Sequence, residues 1–238
     1  MHRIIATIPT YNESENITDL INDLLDLKLP GLEVLVIDDD SPDGTSNLVD
    51  SCARKREGVH LLTRKTERGR GSAGIAGFKK ALEMGADFVV EMDADYSHHP
   101  RFLPGLVDVL VKGEADIAIG SRFVPGGEDM HRPFVRQLIS ELARRYIRVV
   151  LGLNHIEDVT SGYRGFSAAV LRAVELDTLR STGPSIVSEL LFRSHRKGFK
   201  VAERPIEFRD RERGESTLTL GILVENLMFM PRLRLRGW

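Results

Sequence analysis

Short apolar runs alternate with helical spacings through the first half of the chain. Ile4–Ile8, Leu32–Ile37, Val59–Leu62, Phe88–Met92 and Ile117–Ile119 are short and mostly β-branched or aliphatic. Such runs predict strands covered on both faces. Between the first two, Ile17, Leu20, Ile21, Leu24 and Leu25 follow the i, i+3, i+4, i+7, i+8 stripe of an amphipathic helix. Asn12, with Glu15 three residues on, reads as its capping box. Further helices are predicted from Asp43-Gly44-Thr45, over Ser72–Met84 and over Arg101–Lys112. This alternation predicts an α/β fold whose sheet is mainly parallel and flanked by helices. Ligands of such sheets bind beyond the carboxyl ends of the strands. Here those ends read Pro9-Thr10-Tyr11-Asn12-Glu13, Asp38-Asp39-Asp40-Ser41, Asp93-Ala94-Asp95 and Gly120-Ser121-Arg122, a single polar rim.

The pattern changes after the loop Pro125-Gly126-Gly127. Val135, Leu138, Ile139, Leu142, Tyr146, Ile147 and Val150 mark a long amphipathic helix, with Arg136, Arg144, Arg145 and Arg148 on its other face. Helices are predicted at Ala168–Leu176 and Ser185–Lys197, and a strand at Val201–Phe208.

Composition adds limits. A chain of 238 residues, 42% hydrophobic and 29% charged, is large enough to bury its own core as one domain. The net charge of −2 gives no global reason to bind nucleic acid. Its distribution says more. Residues 1–60 carry twelve acidic and five basic groups, whereas 193–238 carry eleven basic and six acidic ones. That asymmetry points to an anionic partner near the C-terminal end. A lone Cys52 allows no internal disulfide and fits a reducing, cytoplasmic setting. The opening MHRIIATIPTYNE turns polar too early for a signal peptide. No run of about 20 apolar residues is present; Leu218–Met230 is interrupted by Glu225 and Asn226.

The candidate chemistry sits at the strand ends. Asp93 and Asp95, two apart, point the same way at the end of a strand. They can share a hard cation, Mg²⁺ or Mn²⁺, that keeps its other positions for water and phosphate. Asp38, Asp39 and Asp40 either meet donors from a base or ribose or build a turn with Ser41-Pro42-Asp43-Gly44. Gly69-Arg70-Gly71-Ser72-Ala73-Gly74 spells G-x-G-x-x-G, but after the third strand, where a loop opening a helix is the simpler reading. Arg122, Arg132, Arg136, Arg211 and Arg213 offer planar forks suited to phosphate. His98 and His99 are adjacent, face different ways, and read as local hydrogen-bonding residues before Pro100.

Together these segments resemble family 2 glycosyltransferases, and more narrowly the dolichyl- or polyprenyl-phosphate mannose synthases. The resemblance rests on Pro9–Glu13, Asp38–Thr45, Glu91–Pro100 and Gly120–Phe123. Further along it rests on Arg136 with Leu138-Ile139-Ser140, on Asp158–Arg164, and on Asp210-Arg211 with Gly214-Glu215-Ser216. It implies a glycosyltransferase A fold, a GDP-mannose donor, Mg²⁺ or Mn²⁺, inversion at the anomeric carbon and a polyprenyl-phosphate acceptor. By position, Pro9, Tyr11, Glu13, Asp38 and Asp40 resemble nucleoside-binding residues. Asp93 and Asp95 match the metal and pyrophosphate residues, with Ser97 where some members place a further ligand. Arg122, Arg136 and Ser140 match the acceptor-phosphate site, and Arg211 a contact to the donor diphosphate. Residues 1–123 would then form the nucleotide-sugar half of one catalytic domain and 124–238 its acceptor half. Two departures are Thr217, where the family often has Lys, and Gly183–Glu189, where it is aromatic-rich.

A lipid monophosphate has a second pKa of about 6, so it is mostly dianionic at neutral pH and can attack without a general base. Asp158 is the one base candidate, expected to be structural or acceptor-positioning. Transfer from UDP-glucose or another nucleotide sugar is the alternative within the same chemistry. A sugar-phosphate nucleotidyltransferase would need a Gly-rich loop after the first strand, and Pro9–Glu13 has none. A non-catalytic nucleotide-sugar binder would have no use for the Asp93/Asp95 pair. The segment from Leu227 to Trp238 alternates apolar and cationic groups and ends in Trp, as a membrane-interface segment does. The enzyme is therefore expected to be peripheral at the inner face of the membrane, docking through its C-terminal third.

Overall fold

The computed structural model describes residues 1–66, 68–130, 134–181, 183, 185–209 and 220–236; for 134–136, 220–226 and 236 only the backbone is described. Strands β1 (Ile4–Thr10), β2 (Leu32–Asp38), β3 (Val59–Thr63), β4 (Phe88–Glu91) and β5 (Ile117–Ser121) form where the apolar runs predict them. Among them lie helices α1 (Ile17–Asp26), α2 (Thr45–Lys55), α3 (Arg70–Glu83) and α4 (Leu103–Val111). The second half adds β6 (Glu128–Met130), α5 (Phe134–Leu151), β7 (Arg164–Ser167), α6 (Ala168–Ala173), α7 (Ile186–Arg196), β8 (Val201–Pro205), β9 (Glu207–Arg209) and α8 (Leu220–Arg236).

Seven strands form one sheet in the order β3-β2-β1-β4-β7-β5-β8. All pairings are parallel except those of β7, which runs against both β4 and β5. The expected mainly parallel sheet is thus observed, with one reversed strand in its middle. The two halves of the chain interleave, because β7 and β8 come from beyond residue 123. Strand alternation explains the apolar runs. Ile5, Leu35, Ile37, Val89, Ile117 and Ile119 face a core closed by α3, α6 and α7. Ile4, Ala6, Ile8, Val34, Val36, Val90 and Ala118 face the opposite core, closed by α1, α2 and α4. Both faces are dry, so polar residues are displaced to the strand ends.

Three local readings need correction. The cap of α1 is Asn16, without a side-chain cap bond; Asn12 sits at φ 61° in the strand-end loop. The predicted strand Val201–Phe208 is two strands, β8 and β9, broken at the buried Ile206. The inward face of α5 is mixed. Ile147, from the predicted stripe, and Leu151 are buried in the core, but two arginines of the other face turn inward beside them while Arg145 stays exposed. The Arg144 and Arg148 side chains are only 8% and 16% exposed, paired with Glu157, and Arg144 also holds Glu141. Leu138, Ile139 and Leu142, read as part of the packing face, are exposed, as is Val149. Glu157 from the turn after α5, with Glu141 of the helix itself, neutralises the inward arginines, which lets them pack.

Candidate active site

Strands β1, β2, β4 and β5 run the same way, so their carboxyl ends share one rim; Thr10 of β1 lies beside Asp38 of β2. Because β7 runs the other way, the segment before it returns to that same rim. Arg164 is registered against Glu91 and Ile119, and the Gly120 N–H donates to the Tyr163 carbonyl at 2.9 Å.

The three acids ending β2 are kept apart by different partners. Asp38 is fully buried and accepts from Thr10 Oγ1 (3.1 Å), Ser41 N–H (3.0 Å), Ser41 Oγ (2.6 Å) and Ser46 Oγ (2.6 Å). Neutral donors therefore hold it, and its visible work is to build the turn. Asp39 accepts from Arg64 Nη1 at 2.8 Å and from the Gly69 N–H at 2.7 Å. The first glycine of G-x-G-x-x-G thus serves a protein carboxylate. Asp40 is exposed, at φ 54°, with Arg68 Nη2 3.5 Å away. The Arg68 guanidinium also lies 5.7 Å from the ring centre of the half-exposed Tyr11. Tyr11, Asp40 and Arg68 form an accessible wall beside the strand ends. Glu13 lies behind it, its carboxylate accepting from Asn16 at 3.0 Å and its N–H donating to Thr45 Oγ1 at 3.1 Å. Pro9 is half-buried at the end of β1.

The end of β4 is built around Arg70, the first residue of α3. Its Nη1 donates to Glu91 Oε1 at 2.8 Å, and its Nε and Nη2 to Asp93 Oδ1 at 3.1 and 2.7 Å. Burial raises the pKa of Glu91, opposed by Arg70. Gly74 makes the approach possible, since a Cβ there would lie 2.9 Å from Glu91 Oε1. Asp95 accepts from the N–H and hydroxyl of Ser97 at 3.1 and 2.6 Å, so Ser97 steadies that carboxylate. The Asp93 N–H donates to His98 Nδ1 at 3.1 Å. Burial lowers the pKa of His98, which suits the neutral ring this acceptor role requires; the ring stacks on Tyr163 with centres 5.1 Å apart. His99 accepts from the Arg101 N–H. Both histidines therefore make the local bonds read from the sequence.

Arg122 faces the same rim but is enclosed. Its Nε and Nη2 grip Asp158 at 2.8 and 2.9 Å, and Nη2 also reaches Thr160 Oγ1 at 2.8 Å. Burial alone would raise the pKa of Asp158, but the Arg122 charge and hydrogen bonds outweigh it and lower it to about 2. Arg164 donates to the carbonyls of Val159, Ser161 and Val187, pinning this loop from beneath. Ser140 is half-buried on α5. Arg136 lies on α5 with its side chain outside the described residues, and Arg132, Arg211 and Arg213 lie wholly outside them. Glu189, in the stretch that departs from the family pattern, is a buried support, accepting from Arg193, the Arg180 and Ser181 N–H groups and the Ser181 hydroxyl.

Asn12, Asp40 and Tyr96 all adopt positive φ, and each sits in a strand-end loop of this rim. They are three of the five described non-glycine residues with positive φ, the others being Lys28 and Glu175, and strained backbone of this kind is consistent with a functional edge. Among the described residues no group of three or more His, Cys, Asp or Glu side chains could hold a metal. The Asp93/Asp95 pair is what Mg²⁺ or Mn²⁺ needs from a protein when substrate phosphates and water complete the shell.

The sequence profile of glycosyl transferase family 2 matches residues 6–174, most of the chain. The chain belongs to glycosyl transferase family 2. This family 2 enzyme is 44% identical, over 97% of its length and 93% of the relative's, to undecaprenyl-phosphate mannosyltransferase of Micrococcus luteus. It is 40% identical to polyprenol monophosphomannose synthase of Mycolicibacterium smegmatis, over 99% of this chain and 88% of the other. It is 39% identical to dolichol-phosphate mannosyltransferase of Pyrococcus furiosus, over 97% and 63%. In fold it matches glucosyl-3-phosphoglycerate synthase of Mycobacterium tuberculosis, in complex with Mn²⁺, UDP-glucose and phosphoglyceric acid, with a TM-score of 0.71 and 20% identity over 98% of this chain and 79% of that one. The glycosyltransferase A fold is therefore established. Sequence reading missed Arg68, Arg70 and Glu91 of the site. The signal for Arg70 was a cation inside a glycine-rich loop; that for Glu91 was a charge within an apolar strand.

Proposed function

We propose that this glycosyltransferase moves mannose from GDP-mannose to a polyprenyl monophosphate, with inversion at the anomeric carbon. The identity of 44% to the Micrococcus luteus undecaprenyl-phosphate enzyme over nearly the whole chain carries the reading. The nucleoside would lie against Pro9, Tyr11 and Glu13, with Asp40 open to it and Asp38 shaping the turn. Asp93 and Asp95 would hold Mg²⁺ or Mn²⁺, which when bound neutralises charge on the leaving diphosphate. Arg211 would serve that diphosphate. Arg122, Arg136 and Ser140 would receive the acceptor phosphate, Arg122 as a cation oriented by Asp158.

The pKa of Asp158 supports a mechanism without a general base. A carboxylate held near 2 is too weak a base to take a proton at neutral pH. A phosphate nucleophile, already dianionic, does not need one. The protein's contribution is to bring two anions together and keep them aligned.

The lipid tail calls for a membrane surface. No helix among the described residues is long and apolar enough to cross one. Helix α8 packs on α5, with Met230 buried and the Tyr146 hydroxyl donating to the Leu227 carbonyl at 3.0 Å. The two helices expose Leu138, Ile139, Leu142, Tyr146, Val149, Met228 and Leu235, beside a groove of about 520 Å³ lined by Tyr146, Leu227, Met228, Pro231 and Arg232. An apolar patch edged by arginines suits peripheral contact with the cytoplasmic face of an anionic membrane.

Incubation with radiolabelled GDP-mannose or UDP-glucose and undecaprenyl phosphate, with and without EDTA, tests the reading. Label should pass into the lipid phase from GDP-mannose, stop in EDTA and return with Mg²⁺ or Mn²⁺. Transfer from UDP-glucose alone would replace mannose as the sugar, and no lipid product from any donor would remove the acceptor.

A further inference from the structure

Arg70 holds two carboxylates that differ in their freedom. Glu91, with a side chain 6% exposed, is fixed under α3; Asp93, 34% exposed, stands open at the rim. Two of the guanidinium's donors converge on Asp93 Oδ1, at 3.1 and 2.7 Å. A Cβ on Gly162 would lie 3.0 Å from Arg70 Nη2 and 3.7 Å from Asp93 Oδ2, so bare backbone closes over the pair. A planar monovalent cation thus sits on a carboxylate suited to a hard divalent one. Two cations on one small carboxylate repel each other unless another anion joins them.

We infer that Arg70 is a positioning residue that competes with the divalent metal for Asp93, so that the metal is taken up together with the donor's diphosphate rather than ahead of it. The inference rests on the metal-dependent reading of Asp93 and Asp95. The diphosphate is the joining anion. A guanidinium fork binds phosphate oxygens as readily as carboxylate, so Arg70 gains a partner as Asp93 turns to the metal. Glu91 keeps the arginine anchored throughout. Metal affinity and diphosphate affinity are then coupled, each raising the other by the same factor.

The test is Mn²⁺ binding to the full chain, followed by loss of the free Mn²⁺ resonance signal, with and without saturating GDP. The informative variant is Arg70→Met with Glu91→Gln, which removes the ion pair as a unit and leaves no buried carboxylate unpaired. Wild type should bind Mn²⁺ at least about tenfold more tightly with GDP than without. The double variant should bind Mn²⁺ alone about tenfold more tightly than wild type and gain little from GDP. Arg70→Lys keeps the charge but not the fork. It should fall between the two, and it carries the test if the double variant does not fold. An affinity without GDP that is unchanged or weaker in the folded variant would overturn the inference. Absence of Mn²⁺ binding to wild type with either GDP or UDP would instead overturn the metal reading on which it rests.

Discussion

Two arginine–aspartate pairs stand on the same rim and differ in their access to water. The Arg122 and Asp158 side chains are 6% and 0% exposed; those of Arg70 and Asp93 are 29% and 34% exposed. Both arginines use two nitrogens on one aspartate. In the enclosed pair neither charge can leave without stranding the other in a dry interior, at a cost of several kcal/mol. In the open pair water can hydrate whichever partner is released. Chemically alike contacts thus divide into a fixed element, which shapes the loop from Asp158 to Tyr163 and holds Arg122 in one orientation, and an exchangeable one, whose carboxylate can pass to another cation.

The sharpest way to break this comparison is to remove one member of the enclosed pair. Asp158→Asn should destabilise the fold by about 3–5 kcal/mol, because Arg122 is left buried and unpaired; urea denaturation measures it. The same group should show in acid. Its folded pKa of about 2 is depressed from the ordinary 3.8, so its contribution is present above the unfolded value and lost as pH falls through the folded one. About 2 kcal/mol should therefore disappear between pH 5 and pH 2 in wild type and be missing from the acid limb of Asp158→Asn. An acid limb identical in both proteins would mean that the pair is not a fixed element.

The rim acids should behave in the opposite way. Asp95→Asn should leave the urea midpoint nearly unchanged while weakening metal-dependent donor binding by about tenfold or more, on the order of 1.4 kcal/mol. Unchanged turnover would remove Asp95 from the metal site. The smallest effect belongs to the exposed apolar face. Leu142→Glu and Val149→Glu should each lower sedimentation with anionic liposomes by about fivefold, equivalent to about 1 kcal/mol. Binding should also fall at high salt, as surface attraction is screened. Truncation at Phe229 would be a poor probe of docking by the C-terminal segment, because it deletes the buried Met230 and Leu233, which packs on the core.

Much of this protein was legible from local pattern. Burial on both faces made most of β1 to β5 read as short, largely apolar runs, and the 3.6-residue stripe marked α1. The strand ends then identified the rim, because a sheet dry on both faces leaves polar side chains nowhere else to go. Asp93 and Asp95 were visible for the same reason. The sequence by itself determined the strand-and-helix alternation, the acidic rim and the family.

The tertiary structure decided what depends on partners distant in the chain. Strand β7 is four residues long, Arg164–Ser167, and carries a charge and a glycine; only its neighbours β4 and β5 make it a strand. The orientation of α5 was ambiguous by periodicity, since apolar and cationic stripes both run its length. Glu157, from the turn beyond the helix, drew Arg144 and Arg148 inward, and Leu138 and Leu142 were left outside. Arg70 meets Asp93 across 23 positions of sequence, a contact that exists only once α3 has packed on the sheet. Periodicity is written in consecutive residues, whereas charge pairing is settled by whichever opposite charge the fold brings within reach.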